Sequence, residues 1–184
     1  MKEALIKSVE LIKSSSFDEV SKVIDTALNL GTDNTLGYDY MVDFEARFVK
    51  KARDPITTGW KDIDDISKGG LGKGELGVVV APTGAGKSMV LVHLGAQALK
   101  AGKNVLHYTL ELADTVVGGR YDAAITGVEL KNLIVFKEKI YDEIREIEGK
   151  LIIKEYPTRS ASIQTIKNHV EKLKRRNFSP DMII

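Results

Sequence analysis

The stretch Leu76-Gly77-Val78-Val79-Val80-Ala81-Pro82-Thr83-Gly84-Ala85-Gly86-Lys87-Ser88 decides the fold. Its first part, Leu76 to Ala81, is short, apolar and rich in β-branched residues, the pattern of a buried parallel strand. Its second part, Ala81 to Ser88, is a run of small residues ending in Lys-Ser. Lys87 to Lys100 then reads as a helix stopped by Gly102. Strand, small-residue loop and helix in that order make a phosphate cradle. Small residues let backbone N–H groups turn onto phosphate oxygens, and the helix start points its positive end at the same anion. Lys87 reaches the β- and γ-phosphates, and the Ser88 hydroxyl ligates magnesium. The expected ligand is a nucleoside triphosphate, ATP or another, with Mg2+, held by Ala81, Pro82, Thr83, Gly84, Ala85, Gly86, Lys87 and Ser88. One position departs from the strict pattern: Ala81 stands where that pattern begins with Gly, and alanine fits there only if it avoids positive φ. The plainer alternative is an ordinary glycine-rich turn. Gly-x-Gly-Lys-Ser between a strand and a helix argues against it.

Outward from this loop the chain alternates. Asn104 to Leu110 reads as a second strand, and Asp114 to Thr126 as a helix that Gly118 and Gly119 weaken by about 1 kcal/mol each. Phe136, Ile140, Ile144 and Ile147 mark one face of another helix, and Leu151 to Tyr156 is a third strand. Ile163, Ile166, Val170 and Leu173 stripe a further helix before Met182-Ile183-Ile184 begins a fourth strand. Strands alternating with helices predict an α/β fold, a mainly parallel sheet flanked by helices. Residues 1–53 read differently, as a helical arm. Ser16 with Glu19 forms a capping box for a helix to about Leu30, and a polar loop runs from Gly31 to Gly37. Met41, Phe44, Phe48 and Val49 then mark the face of a third helix, with Asp43 and Glu45 early and Lys50 and Lys51 late. This arm holds too few large apolar residues to fold alone. Residues 54–184 carry the nucleotide-binding domain.

Composition sets bounds on function. A chain of 184 residues, 43% hydrophobic, builds a core and is not disordered. A net charge of +1 gives no overall field for DNA or an acidic membrane, so nucleic-acid contact must come from a local patch or from assembly. With no cysteine there is no disulfide framework and no thiolate zinc site. Met1 to Lys7 alternates charged and apolar residues, unlike a signal peptide, and no apolar run approaches the ~20 residues that span a bilayer. The expectation is a soluble cytoplasmic protein with no membrane partner.

Ligands of parallel sheets gather beyond the carboxyl ends of the strands, and Glu111 stands there, just after His107-Tyr108-Thr109-Leu110. A carboxylate in that place can orient and deprotonate a water aimed at the γ-phosphate. It can equally be a helix-start residue stabilised by the dipole, and position alone leaves both open. Lys172, Lys174, Arg175 and Arg176 close a helix, and like Lys50, Lys51 and Arg53 they read as a solvated charged surface more than a phosphate-backbone contact. His93, His107 and His169 lack metal spacing and read as packed neutral rings; Trp60 and Tyr156 read as core or edge aromatics.

At this point a family resemblance becomes visible. Thr58-Gly59-Trp60, Ile63-Asp64, Gly69-Gly70-Leu71 and Gly74-Glu75-Leu76, followed by the phosphate loop, resemble the C-terminal ATPase domain of DnaB-like replicative helicases. Thr109-Leu110-Glu111-Leu112 followed by Arg120 resembles that family's second signature. Asp39-Tyr40-Met41, Asp43-Phe44-Glu45-Ala46-Arg47, Arg120-Tyr121-Asp122-Ala123 and Lys154-Glu155-Tyr156-Pro157-Thr158 look most like its members from T-even-type tailed phages, where localisation would be the host-cell cytoplasm. The resemblance covers nearly the whole chain, most strongly from Tyr38 onward. It implies a RecA-type fold, with Glu111 and Lys87 catalytic and Arg120 near the site without an assigned role. It implies a ring, usually hexameric, that hydrolyses nucleotide between subunits and moves 5′ to 3′ on single-stranded DNA. The early helices become a linker arm docking on a neighbour, and primase and helicase loader are the partners of such rings. The family's magnesium-holding aspartate should follow the strand opened by Pro180-Asp181-Met182-Ile183-Ile184, so the chain reads as an internal piece of a longer protein. Two alternatives stay open: a RecA- or clock-type ATPase of another role, against which the arm argues, and a nucleotide-binding assembly module without turnover. An acid within a few residues beyond Ile184 would separate the motor from the module.

Overall fold

Val105–Thr109, two of its five residues β-branched, forms β1, the middle strand of a three-stranded sheet. β2 (Leu151–Glu155) lies on one side, with Val105 opposite Leu151 and Thr109 opposite Glu155. β3 (Met182–Ile183) lies on the other, with Val105 opposite Met182. Both pairings are parallel. A middle strand in a parallel sheet is covered on both faces, and Val105, Leu106, His107 and Thr109 are all buried. The computed structural model describes Val9, Glu19, Val20 and residues 37–49 and 53–184, and the chain divides into two compact units, Met1–Lys51 and Ala52–Ile184.

Helices cover the two faces of the sheet. α1 (Lys61–Ser67) precedes the phosphate loop and α2 (Lys87–Lys100) follows it. α3 (Asp114–Thr126), α4 (Lys137–Ile144) and α5 (Ile163–Lys174) complete the set. On one face Val105 packs with Val92, Ala96 and Leu99 of α2 and with Val117 and Tyr121 of α3. On the other, Leu106 packs with Leu173 of α5 and with Phe178. α5 begins at a capping box in which Ser162 Oγ accepts from Thr165 N at 3.1 Å and Thr165 Oγ1 accepts from Ser162 N at 3.3 Å. Gly95 brings α2 and α3 together: a Cβ there would lie 2.1 Å from the Tyr121 hydroxyl. That hydroxyl instead meets buried His107 Nδ1 at 2.9 Å, and burial lowers the imidazole's pKa, keeping it neutral. The expected α/β architecture, with parallel strands flanked by helices, is the observed one.

Two expectations need correction. Leu76–Ala81 is not a buried strand: it has no regular secondary structure, and Leu76, Val78 and Val80 are 87%, 73% and 87% exposed. A strand exists only through a neighbour's backbone groups. Both edges of β1 are taken, and an open space of about 690 Å³, lined by Leu71, Glu75, Met182 and Ile183 among others, lies alongside β3. Among the described residues no strand fills that gap. The expected third helix of the arm is, within the described residues, a four-residue 3-10 turn, Phe44–Arg47. The Asp39 carboxylate accepts from Met41 N at 3.0 Å and Val42 N at 2.9 Å, and this turn chemistry competes with a longer helix. Met41, Phe44, Phe48 and Val49 are exposed there, and Arg47 stacks over the Tyr40 ring at 4.1 Å. The capping box at Ser16, the helix to Leu30, and Lys50 and Lys51 lie outside the described residues; Val9, Glu19 and Val20 are helical.

Candidate functional site: the cleft between the phosphate loop and the end of the central strand

The approach to the loop is pinned by charge. Arg53 pairs with Glu75 at 2.7 Å and donates to the carbonyls of Ser67 and Gly70, both at 2.7 Å. Glu75 also accepts from Gly72 N at 2.8 Å. The Arg53 hydrogen bond, then that from Gly72, holds the Glu75 carboxyl down at about 2 against an ordinary 4.5. Asp64 accepts from the Thr57 hydroxyl and from both N and Oγ1 of Thr58, and these bonds lower its pKa too. Gly70 (φ 108°) is required where the chain passes Ile56, since a Cβ there would lie 1.9 Å from the Ile56 carbonyl.

The loop itself is shaped by Gly84 at φ 81° and Gly86 at φ 92°, the second serving as N-cap of α2. A side chain on either would meet nothing within 4 Å, so these glycines are required by backbone conformation and the space above them is open. Ala81 is absent from the positive-φ residues, so the departure from the strict pattern costs no strain. No side chain caps α2, and the N–H groups of Gly84, Gly86, Lys87 and Ser88 donate to no acceptor among the described residues. Four free donors at the positive end of a 14-residue helix have the geometry that suits an anion. Lys87 Nζ turns back to donate to the carbonyls of Ala81 at 3.0 Å and Pro82 at 2.9 Å. An ammonium has three donors, so one remains for a ligand.

Beside the loop lies a cleft of about 190 Å³ lined by Ser88 of α2, Thr109 at the end of β1, Leu110 to Leu112 beyond it, and Arg120 of α3, among others. The structure therefore brings Ser88, Glu111 and Arg120, distant in sequence, around one space. Glu111 is exposed. Arg120 is half-buried and makes no ion pair or hydrogen bond among the described residues, so its charge is not used up by structure. The fit of a magnesium ion can be judged from the donors. No cluster of three metal-binding side chains exists among the described residues. One free hydroxyl, Ser88, would nonetheless fit a magnesium ion that takes most of its ligands from phosphates and water.

Thr109 is a residue that the sequence reading passed over as a mere part of a motif. It is 7% exposed, and its hydroxyl donates to Leu112 O at 2.8 Å and accepts from Leu112 N at 3.2 Å. A threonine at a strand end, followed three residues on by the closing amide, is the available signal. The other aromatic and basic residues sit as expected of packed or solvated groups. Trp60 stacks on His93 at 4.1 Å, and His93 Nε2 meets Thr58 O at 2.9 Å. His169 Nδ1 meets Tyr108 Oη at 2.8 Å, and Tyr108 stacks on Tyr156. Lys172, Lys174, Arg175 and Arg176 are exposed, with Lys174 paired to Glu171 at 2.8 Å. Among the described residues no helix is long and apolar enough to cross a membrane.

Comparison with known proteins bears on the family and the fold. Residues 55–184 match the DnaB-like helicase C terminal domain. The chain is 34% identical, over 178 residues and 90% of its length, to the DnaB-like replicative helicase of Enterobacteria phage T4, of which it spans 37%. It is 29% identical, over 121 residues and 64% of its length, to the DNA repair protein RadA of Aquifex aeolicus, of which it spans 25%. With an α/β unit of parallel strands, a phosphate-type loop and a family match across that whole unit, the chain belongs to the DnaB-like helicase C-terminal domain family and has its RecA-type fold.

Proposed function

We propose that this chain is the nucleotide-binding part of a replicative helicase motor that couples ATP hydrolysis to 5′ to 3′ movement on single-stranded DNA and to duplex unwinding. The observation that carries the reading is the convergence of Ser88, Glu111 and Arg120 on the cleft beside four free loop N–H groups. In this reading Ala81 to Ser88 cradle the triphosphate, and Lys87 leaves at least one of its loop carbonyls for the β- and γ-phosphates. Ser88 would hold the magnesium, which supplies charge neutralisation on the phosphate oxygens. Glu111 orients a water against the γ-phosphate and accepts its proton as the bond to ADP breaks. Arg120 stays near the transferred phosphate as an unpaired cation.

The homo-oligomer is a ring, hexameric in the family pattern, whose sites are completed by a neighbour. Residues 1–53 are the arm that docks on that neighbour, consistent with the exposure of Met41, Phe44 and Phe48 within the arm. Primase and a helicase loader are the expected protein partners, and the host-cell cytoplasm the location. The 184-residue chain alone turns over little, because its phosphate loop hangs from an unpaired segment.

The test uses the full protein with forked DNA bearing a 5′ or a 3′ single-stranded tail. ATP-dependent strand displacement should require the 5′ tail and stop in Lys87→Ala. Displacement from a 3′ tail alone would reverse the direction. DNA-stimulated hydrolysis without displacement would favour an ATPase of another role, in line with the likeness to the DNA repair protein RadA.

A further inference from the structure

The Glu111 loop is held from two sides. From within, the Thr109 hydroxyl bridges Leu112 O and Leu112 N, closing a turn around Leu110 and Glu111. From outside, Thr158 Oγ1 donates to Leu110 O at 3.1 Å, and Tyr156 N donates to Thr109 O at 2.9 Å. The segment that supplies this second grip is itself fixed. Ser160 N and Ser160 Oγ both bind Pro157 O, at 2.9 and 2.6 Å, and Arg159 takes a left-handed φ of 66° to make the turn. The Tyr156 ring stacks on Tyr108 with centroids 5.7 Å apart, and His169 of α5 binds the Tyr108 hydroxyl. The turn is thus pinned to β1 before it and continues into the capped start of α5 after it. Thr158, at its tip, is the residue whose side chain crosses to the loop after β1.

We propose that Thr109 and Thr158 are positioning residues that together set the backbone of Leu110 to Leu112 and so aim the Glu111 carboxylate into the cleft. Glu111 is exposed and makes no hydrogen bond or ion pair of its own among the described residues, so its direction is inherited from that backbone. A misplacement of about 1 Å in a reacting group can cost on the order of 10²-fold in rate. The inference rests on Glu111 acting on the bound nucleotide, as proposed above. It adds a coupling: whatever shifts the Tyr156–Thr158 turn shifts the aim of Glu111.

The experiment has two arms. In the full protein, Thr158→Val removes the crossing hydrogen bond from an exposed position at little risk to folding. Thr158→Val should lower kcat about tenfold with nucleotide affinity unchanged, and Thr158→Ser should restore it. Thr109→Val should do at least as much, again rescued by serine. An unchanged kcat in Thr158→Val, or a loss that serine does not rescue, overturns the proposal. The second arm needs no turnover. In the 184-residue chain, Thr109→Val should speed hydrogen exchange at the Leu112 amide by about tenfold, because that amide loses its acceptor. Equal exchange overturns the inner grip. If Glu111→Gln keeps full turnover while Leu112 exchange responds as expected, the grip stands and it is the role of Glu111 that fails.

Discussion

The two walls of the cleft are built to different standards. The wall carrying Glu111 grows from β1, which is buried and paired on both edges, and continues into a turn fixed by Thr109 and Thr158. The wall carrying the phosphate loop grows from Leu76–Ala81, largely exposed and unpaired among the described residues, and is tied at its ends, by Glu75 to Arg53 before it and by α2 after it. Residue type specifies both walls equally well, but rigidity depends on neighbours, which composition does not reveal. The wall proposed above to donate hydrogen bonds to a nucleotide is therefore the one that depends most on something packing beside it.

Hydrogen exchange tests this contrast most directly. The amides of Val105 to Thr109 should exchange on the order of 10³-fold or more slower than those of Leu76 to Val80, since the first open only with the core and the second have no ladder to break. Comparable protection in both segments would show that Leu76–Val80 finds a partner, and the two walls would then be alike. Addition of nucleotide should narrow the gap by slowing Gly84, Gly86, Lys87 and Ser88, whose free N–H groups acquire acceptors.

Mutating one residue from each wall sharpens the comparison. Glu111→Gln in the full protein should leave nucleotide affinity unaltered and lower turnover by about 10²-fold or more, because glutamine keeps size and hydrogen bonding but accepts no proton. Near-normal turnover would make Glu111 a helix-start residue. Lys87→Ala should instead act on binding, weakening triphosphate affinity by about tenfold or more in a fluorescent-nucleotide titration, the scale of a lost hydrogen bond to a charged group. Its fold should survive, because Lys87 binds only two loop carbonyls and leaves no apolar cavity. Equal affinities would remove the phosphate-loop assignment.

What could be read in advance follows the same division. The helices carrying Ile140 and Leu173 were legible from apolar spacing, because each turns part of its stripe inward although Phe136 and Ile163 stay exposed, and the strand at Val105 was legible as a short run that the sheet buries. The turn from Ala81 to Ser88 was legible as a loop because its glycines mark where the backbone takes positive φ, at Gly84 and Gly86. Leu76–Ala81 was misread because its valines specify burial while the partner strand lies nowhere among the described residues. The stretch around Phe44 was misread because helical spacing of aromatics says nothing of the Asp39 turn that occupies the preceding N–H groups. The convergence of Arg120 with Ser88 and Glu111, and the reach of Thr158 to Leu110, are tertiary facts. No local pattern encodes them.

The smallest expected effect concerns the tie at the entrance to the weaker wall. Glu75 immediately precedes Leu76, and its carboxylate is gripped by Arg53 and by the Gly72 amide. Its pKa in the folded chain, about 2, lies below the ordinary 4.5. The tie is therefore fully present above the ordinary value, weakens as pH falls through the interval between the two, and is gone once Glu75 is protonated. The pair is solvent-exposed, so global stability should hardly register the change. The local consequence is more specific. With its start released, the phosphate-loop segment keeps only its attachment to α2, and the Gly72 amide loses its acceptor. The Gly72 amide shift, followed by NMR from neutral pH downward, should titrate with a midpoint well below 4.5, and Glu75→Gln should abolish that titration. The same substitution at neutral pH should modestly weaken nucleotide affinity, and leave exchange at Val105 to Thr109 untouched. A Gly72 shift that titrates near 4.5 would mean that Arg53 does not hold Glu75 in solution. The phosphate-loop wall would then be anchored by α2 alone, which makes the asymmetry between the two walls larger.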